Sequence, residues 1–429
     1  MSHECLLCTR REFLRASSIL AVGAAMPAFL AKAIAATTAE LGGTIPGFKD
    51  DRILVVVQLG GGNDGLNTLV PFTDDAYFRA RPRIALKDDK IIKLTGDVAL
   101  NAKMKAFKDL ADQGKLCVVE GVGYPNPNRS HFRSTEIWQT GVDSDRYSET
   151  GWIGRYFDNQ CGGTAEPVAG VAVGGERPQS FAGQKGFGVA FQDPNSFGWT
   201  EGQGEAKERN FQVLNAANET LHNDTLDFLR KVTNNAVLSS DRVREVAKKY
   251  KGGIEYPRDP FANSLQTVAK MIAGGLPTRI YYVTLTGFDT HANQLNTHDN
   301  LLERFANGIA AFQRDLESQG NAQRVLTMTF SEFGRRVGEN ASGGTDHGTA
   351  APMFLVGDML NAGMAGKRPS LTDLDQGDLK YTTDFRGIYA SVLDQWLGAD
   401  SKLVLGKAFP QIGLIKAKQA ATAPVLAKV

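Results

Sequence analysis

Arg52-Ile53-Leu54-Val55-Val56-Val57-Gln58-Leu59, followed by Gly60-Gly61-Gly62, decides the fold. A strand with one wet face alternates apolar and polar residues; this run is apolar almost throughout. It fits a strand buried on both faces, as in a parallel sheet covered by helices on each side. The same alternation of strand and helix recurs outward from it. Leu100, Met104, Phe107 and Leu110 lie at helical spacing, with Gly114 placed to end that helix. Strands are expected over residues 116–122, 168–173, 279–285, 324–330 and 353–356. Helices are expected over 261–273, 298–317 and 385–397. Such alternation implies right-handed crossovers. The fold class is therefore α/β, a doubly wound, mostly parallel sheet with helices on both faces. Two polar helices without strands between them, from about Asn210 to Lys251, read as a helical insertion spanning about 205–255. Residues 36–429 make one domain, with no internal repeat.

Composition excludes several classes. With 42% hydrophobic residues and a net charge of +1 in 429 residues, the chain is not disordered. Four cysteines in that length are no disulfide scaffold. The balanced charge offers no general attraction for nucleic acid. Glycine stands out: 46 residues exceed the usual ~7%, and they cluster beside polar residues.

The N-terminus reads as an address. Thr9-Arg10-Arg11-Glu12-Phe13-Leu14-Arg15 forms a twin-arginine pattern, and a mildly apolar stretch runs from Ala16 to Ala31. Ala31-Lys32-Ala33 or Ala33-Ile34-Ala35 can be cleaved, so residues 1–35 are expected to be an export signal. The stretch is short for a ~20-residue span, and no later segment is long and apolar enough. Loss of 1–35 removes Arg10, Arg11, Arg15 and Lys32 but only Glu4 and Glu12, which takes the net charge to −1. It also removes Cys5 and Cys8. Cys117 and Cys161 remain, and an oxidising compartment permits a bridge between them. The expected location is the periplasm or the exterior, reached through the twin-arginine export machinery, with no stable membrane span after cleavage.

In open α/β sheets ligands bind beyond the carboxyl ends of the strands. The segments at those ends are Gly62-Asn63-Asp64-Gly65-Leu66-Asn67, Pro127-Asn128-Arg129-Ser130-His131-Phe132-Arg133-Ser134, Gly287-Phe288-Asp289-Thr290-His291 and Ser331-Glu332-Phe333-Gly334-Arg335-Arg336. Gly343-Gly344-Thr345-Asp346-His347-Gly348-Thr349 precedes the strand at Met353. Three of the five mature-chain histidines (His131, His291, His347) fall in these segments. Imidazoles and carboxylates at one sheet edge suit a divalent metal, and a hydroxyl at a helix start nearby suits a nucleophile. Each residue also has a plainer use. Asp64, Ser130, Asp289 and His291 can cap turns or helices; Glu332 can pair with Arg335 or Arg336, and Asp346 can support a turn. Their coincidence at one edge favours a shared site. His222 and His298, in charged helical stretches, read as solvated surface.

Gly60-Gly61-Gly62-Asn63-Asp64-Gly65 formally satisfies the dinucleotide pattern G-x-G-x-x-G. Asp64 would oppose a pyrophosphate there, Pro71 breaks the following helix, and no strand ending in an acidic residue follows about 20 residues on. A nucleotide is not expected.

With the twin-arginine stretch, Gly61–Asn67, Ser130–Ser134, Gly287–His291, Phe330–Arg335, Thr345–Gly348 and Asp384-Phe385-Arg386, the sequence resembles a family of exported proteins of unknown function. That family is grouped with the alkaline phosphatase and sulfatase superfamily. The resemblance spans nearly the whole chain. It implies metal ligands at Asp64, Asp289, His291, Glu332 and His347, with Asp346 a ligand or a group behind one. It implies Ser130 as nucleophile, with Arg129 or Arg133 gripping the anion. One or two divalent ions (Zn, Ca, Mg or Mn) would serve a hydrolase of phosphate or sulfate esters acting on a small anionic ester or glycan. Phe333 stands where the superfamily places a histidine, and Pro125 where sulfatases carry the modified cysteine. The other expectation is therefore a non-catalytic binding protein for an anionic glycan or a partner protein.

Overall fold

The computed structural model describes residues 50–161, 167–184, 188–193, 243, 245, 246, 250 and 252–416. The expected export signal at 1–35, nearly all of the expected helical insertion and His222 lie outside them. Nine strands form the central sheet: β1 (Ile53–Gly60), β2 (Leu116–Gly123), β3 (Gly170–Val173), β4 (Val189–Phe191), β5 (Ile280–Thr286), β6 (Val325–Phe330), β7 (Ala351–Val356), β8 (Gly363–Gly366) and β9 (Thr383–Asp384). Their order is β8-β2-β7-β6-β1-β5-β3-β4, with β9 also paired to β2. β1 lies parallel to β5 on one side and β6 on the other.

The pleat explains the apolar run of β1. Ile53, Val55, Val57 and Leu59 enter one core, and Leu54 and Val56 enter another on the opposite face. Eight helices matter for the site and its support: α1 (Gly65–Thr68), α2 (Asp75–Ala80), α3 (Lys105–Asp112), α4 (His131–Thr140), α5 (Trp152–Cys161), α6 (Pro260–Ala273), α7 (Gln294–Ser318) and α8 (Phe385–Ser391). α3, α6 and α7 cover the first core, whereas α4, α5 and α8 cover the second. The sheet is thus mixed but mostly parallel, with helices on both faces.

Three differences from expectation have physical reasons. β7 runs antiparallel to both β2 and β6, and a buried strand carries no mark of direction in its pattern. Its start therefore lies at the carboxyl edge of the other strands, which brings residues 345–348 to that edge. Leu100 belongs to a short strand, Ala99–Asn101, of a separate three-stranded sheet; the helix proper begins at Lys105. α7 begins at Gln294 rather than near 298, so His298 is interior and only 1% exposed. It is not surface.

Cys117 in β2 is a free, buried thiol, and burial pushes its pKa up to about 11. Among the described residues no helix is long and apolar enough to cross a membrane.

Candidate metal centre

The loop after β1 turns at Gly61 and Gly62, with φ of +118° and +76°. A Cβ on Gly61 would fall 2.5 Å from the Asp289 backbone nitrogen, and one on Gly62 would fall 2.4 Å from the Phe333 ring. Glycine lets the loops after β1, β5 and β6 close on one another.

α4 brings in the first histidine. His131, Ser134 and Trp138 share one helical face, and all three meet Glu332 at the end of β6. His131 Nδ1 lies 2.8 Å from Glu332 Oε1, while Ser134 Oγ and Trp138 Nε1 donate to the Glu332 carbonyl, the latter at 2.8 Å. Glu332 Oε1 also accepts from the Gly61 amide at 2.8 Å. Glu332 is 2% exposed and stands behind His131.

Four side chains converge above this base. Around Asp289 Oδ1 lie His131 Nε2 at 3.4 Å, His291 Nε2 at 3.1 Å and His347 Nε2 at 3.2 Å. His291 Nε2 and His347 Nε2 are 2.9 Å apart. Donor atoms of His131, Asp289 and His347 all lie within 4.8 Å of one another. The other nitrogen of each ring is held from outside: His131 by Glu332, His347 by the Arg129 carbonyl at 2.8 Å, and His291 by Asp346 Oδ1 at 3.3 Å. An acceptor at Nδ1 fixes the proton there and leaves the Nε2 lone pair facing the common centre. His131 Nε2 is shut from solvent and has no hydrogen-bond partner. The Phe333 ring lies 4.8 Å from the rings of both His131 and His347, an apolar wall that fixes their planes.

Charges at the centre are tuned by the same contacts. The hydrogen bond that His131 donates to Glu332, opposed by burial, raises the His131 pKa. Burial alone would raise the Asp289 pKa. Instead the hydrogen bond and charge of Arg335, with His347 and His131, hold it down to about 2.

Several expected site residues are elsewhere or have other work. Asp64 does not join the cluster. It is fully buried against Arg81, with Arg81 Nη1 2.6 Å from Asp64 Oδ2, and it caps α1 through Leu66 N. Gln294 also donates to it. Arg81 follows α2 and reaches in where a cation was expected. Glu332 and Asp346 orient histidines rather than lie at the centre. The Arg129 guanidinium pairs with buried Asp378, Nε to Oδ2 being 2.7 Å. Arg133 binds the Ser144 carbonyl at 2.9 Å, pairs with Glu136 and stacks on Tyr147. Neither arginine is a free anion grip. Ser130 starts α4 with an exposed side chain that makes no capping hydrogen bond.

Two residues of the site carried weaker signals. His131 was visible only as a third histidine at the sheet edge, immediately after Ser130. Arg335, which reads in sequence as a partner for Glu332, is 1% exposed and donates to Asp289 Oδ1 at 2.6 Å.

Fold and site together describe a mostly parallel α/β protein with a histidine–aspartate cluster at the carboxyl edge of its sheet. Residues 148–404 match the family described as "Protein of unknown function (DUF1501)", and the chain belongs to that family. None of the curated proteins matches the sequence. Among solved structures, the chain is similar to the C-terminal periplasmic domain of EcEptC from Escherichia coli, at 11% identity and TM-score 0.38, over 87% of this chain and 94% of that one. It is similar to a protein in the alkaline phosphatase superfamily from Vibrio parahaemolyticus, at 10% identity and TM-score 0.38, over 85% and 72%. PsFucS1 sulfatase from Pseudoalteromonas sp. matches at 12% identity and TM-score 0.37, over 84% and 70%. At such values the chemistry has to be read from this chain's own side chains.

Proposed function

We propose that this chain is an exported metal-dependent hydrolase of phosphate or sulfate esters. The observation that carries the reading is that three Nε2 atoms stand 3.1–3.4 Å from Asp289 Oδ1, with those of His291 and His347 2.9 Å from each other. Four donors about 2.0–2.1 Å from a tetrahedral ion stand about 3.3 Å apart. Imidazole nitrogens with one carboxylate suit Zn²⁺ better than Mg²⁺ or Ca²⁺, which prefer oxygen. His131, Asp289 and His347 are the core ligands. His291, 44% exposed at its side chain, is the fourth and the one able to yield its place to substrate. Glu332, Asp346 and the Arg129 carbonyl hold the ring nitrogens behind them.

A divalent ion bound there supplies Lewis acidity toward an ester oxygen and lowers the pKa of a nearby hydroxyl. Ser130, exposed at the start of α4 and adjacent to His131, offers the attacking oxygen. Its bond to phosphorus or sulfur forms as the ester's alcohol leaves, and water then releases the anion from the serine. The twin-arginine pattern at Arg10 and Arg11 supports delivery through the twin-arginine machinery to the periplasm or beyond.

A second reading, a binding protein for an anionic glycan or protein partner, is favoured by one observation. Arg129 and Arg133, the side chains expected to grip an anion, are already paired. Metal analysis of the purified chain separates the cases when combined with aryl phosphate and aryl sulfate assays on wild type and Ser130→Ala. Stoichiometric metal with turnover at least 100-fold lower in the variant supports the hydrolase. Metal without turnover of any ester supports the binding protein. A chain that takes up no metal sinks the hydrolase.

A further inference from the structure

Arg335 is surrounded by oxygen. Its Nε donates to the Gly62 carbonyl at 2.7 Å, and Nη1 to the Thr345 carbonyl at 2.9 Å. Nη2 donates to the carbonyls of Gly61 and of Phe288 (3.1 Å) and to Asp289 Oδ1 at 2.6 Å. Nη1 also lies 3.4 Å from His291 Nε2. The side chain is wholly inaccessible to solvent. Four carbonyls and a carboxylate, drawn from three loops, make the kind of oxygen cage a hard divalent cation takes. Its carboxylate oxygen is the same Asp289 Oδ1 around which the three histidines gather. A cation in this cage and an ion on the histidines would therefore share one bridging ligand, the arrangement of a two-ion centre.

Resting on the metal-centre reading, we propose that the Arg335 guanidinium permanently fills the second cation position of a carboxylate-bridged pair, so that the centre holds one metal ion. Arg335 is then a positioning residue. It fixes Asp289 Oδ1 toward the histidines and supplies the neighbouring positive charge. The Phe333 ring packs on His131 and His347. Guanidinium suits this role because it is always charged and carries five donors in a fixed fork. Those donors are directed to the oxygens of the cage.

The full chain, stripped with chelator and reloaded with Zn²⁺ or Mn²⁺, gives the test. Elemental analysis and Mn²⁺ electron paramagnetic resonance should report one ion per chain with an uncoupled signal. No bound ion defeats the metal-centre reading itself, whereas two ions, or an exchange-coupled Mn²⁺ pair, defeat this inference alone. Arg335→Ala opens the cage and should bind a second Mn²⁺ or Ca²⁺, which millimolar guanidinium displaces. Arg335→Lys should remain at one ion. A folded Arg335→Ala chain that still binds one ion overturns the role given to Arg335. If that variant does not fold, the wild-type count and signal decide the matter.

Discussion

Three imidazoles around one carboxylate oxygen differ in how firmly each is held. His131 is pinned by Glu332, itself bound by the Gly61 amide, and His347 by a backbone carbonyl. His291 leans on exposed Asp346 at a longer 3.3 Å. Removing an inner ligand should cost more than removing the outer one. His131→Ala and His347→Ala are expected to lose Zn²⁺ affinity by at least 100-fold in competition with a chelator, and His291→Ala by roughly 10-fold. Equal losses at all three would contradict the ranking. Sequence showed two of these histidines clearly, because His291 and His347 each sit within two residues of an aspartate. His131 was obscured by Ser130, whose place at a helix start drew the functional reading to itself. Asp64 was misplaced because nothing in its own loop announces Arg81, 17 positions away, as its partner.

α4 acts as a clamp on the end of β6. Its His131, Ser134 and Trp138 reach a single residue, Glu332, through side chain and backbone. Trp138 also stacks on Phe330 and Phe385, with centroids 5.2 Å and 4.2 Å away. Trp138→Phe keeps most of that stacking and removes the indole donor. Urea unfolding should show a loss of about 1–2 kcal/mol, the usual cost of a buried hydrogen bond to a neutral acceptor. Metal affinity should fall with it by a few fold, since His131 rides on the same helix. A stability loss with unchanged metal affinity would show that the helix does not aim the ligand. The elements themselves were largely legible, as the expected strands at 279–285 and 324–330 differ from β5 and β6 by no more than one residue at either end. The antiparallel direction of β7 was not, because a strand buried on both sides reads the same in either sense. The start of α7 was hidden because Asn293, which precedes it, lies in the left-handed region at φ 47°. Helix-start rules look instead for an extended capping residue.

Over the whole molecule, a buried polar layer beneath the centre ties stability to pH. His298 Nε2 lies 2.9 Å from Asn63 Oδ1. Burial, only partly offset by Asp64 and Asp299, pushes its pKa down to about 4. The unfolded chain would protonate this histidine near 6.5. Between those values the unfolded state binds the extra proton, so this contribution to stability is whole above about pH 6.5 and declines as pH falls toward 4. The loss amounts to roughly 3 kcal/mol at the lower end. Asp64, whose pKa is lowered chiefly by Arg81 against the opposing effect of burial, titrates below that window. Denaturant midpoints of wild type and His298→Gln, measured from pH 7.5 to 4.5, should diverge in slope, with the variant flatter. Parallel curves would assign the acid sensitivity to other groups.

The Arg335 cage joins residues 61, 62, 288, 289 and 345, and the histidines add 131, 291 and 347. No stretch shorter than residues 61–347 contains the set. During synthesis, a chain that has not yet emitted residue 347 lacks both the last inner ligand and the strand that carries its loop back to the edge. On the metal-centre proposal, the centre is therefore a record of completed folding: a bound ion would mark a molecule whose sheet has closed from β1 to β7.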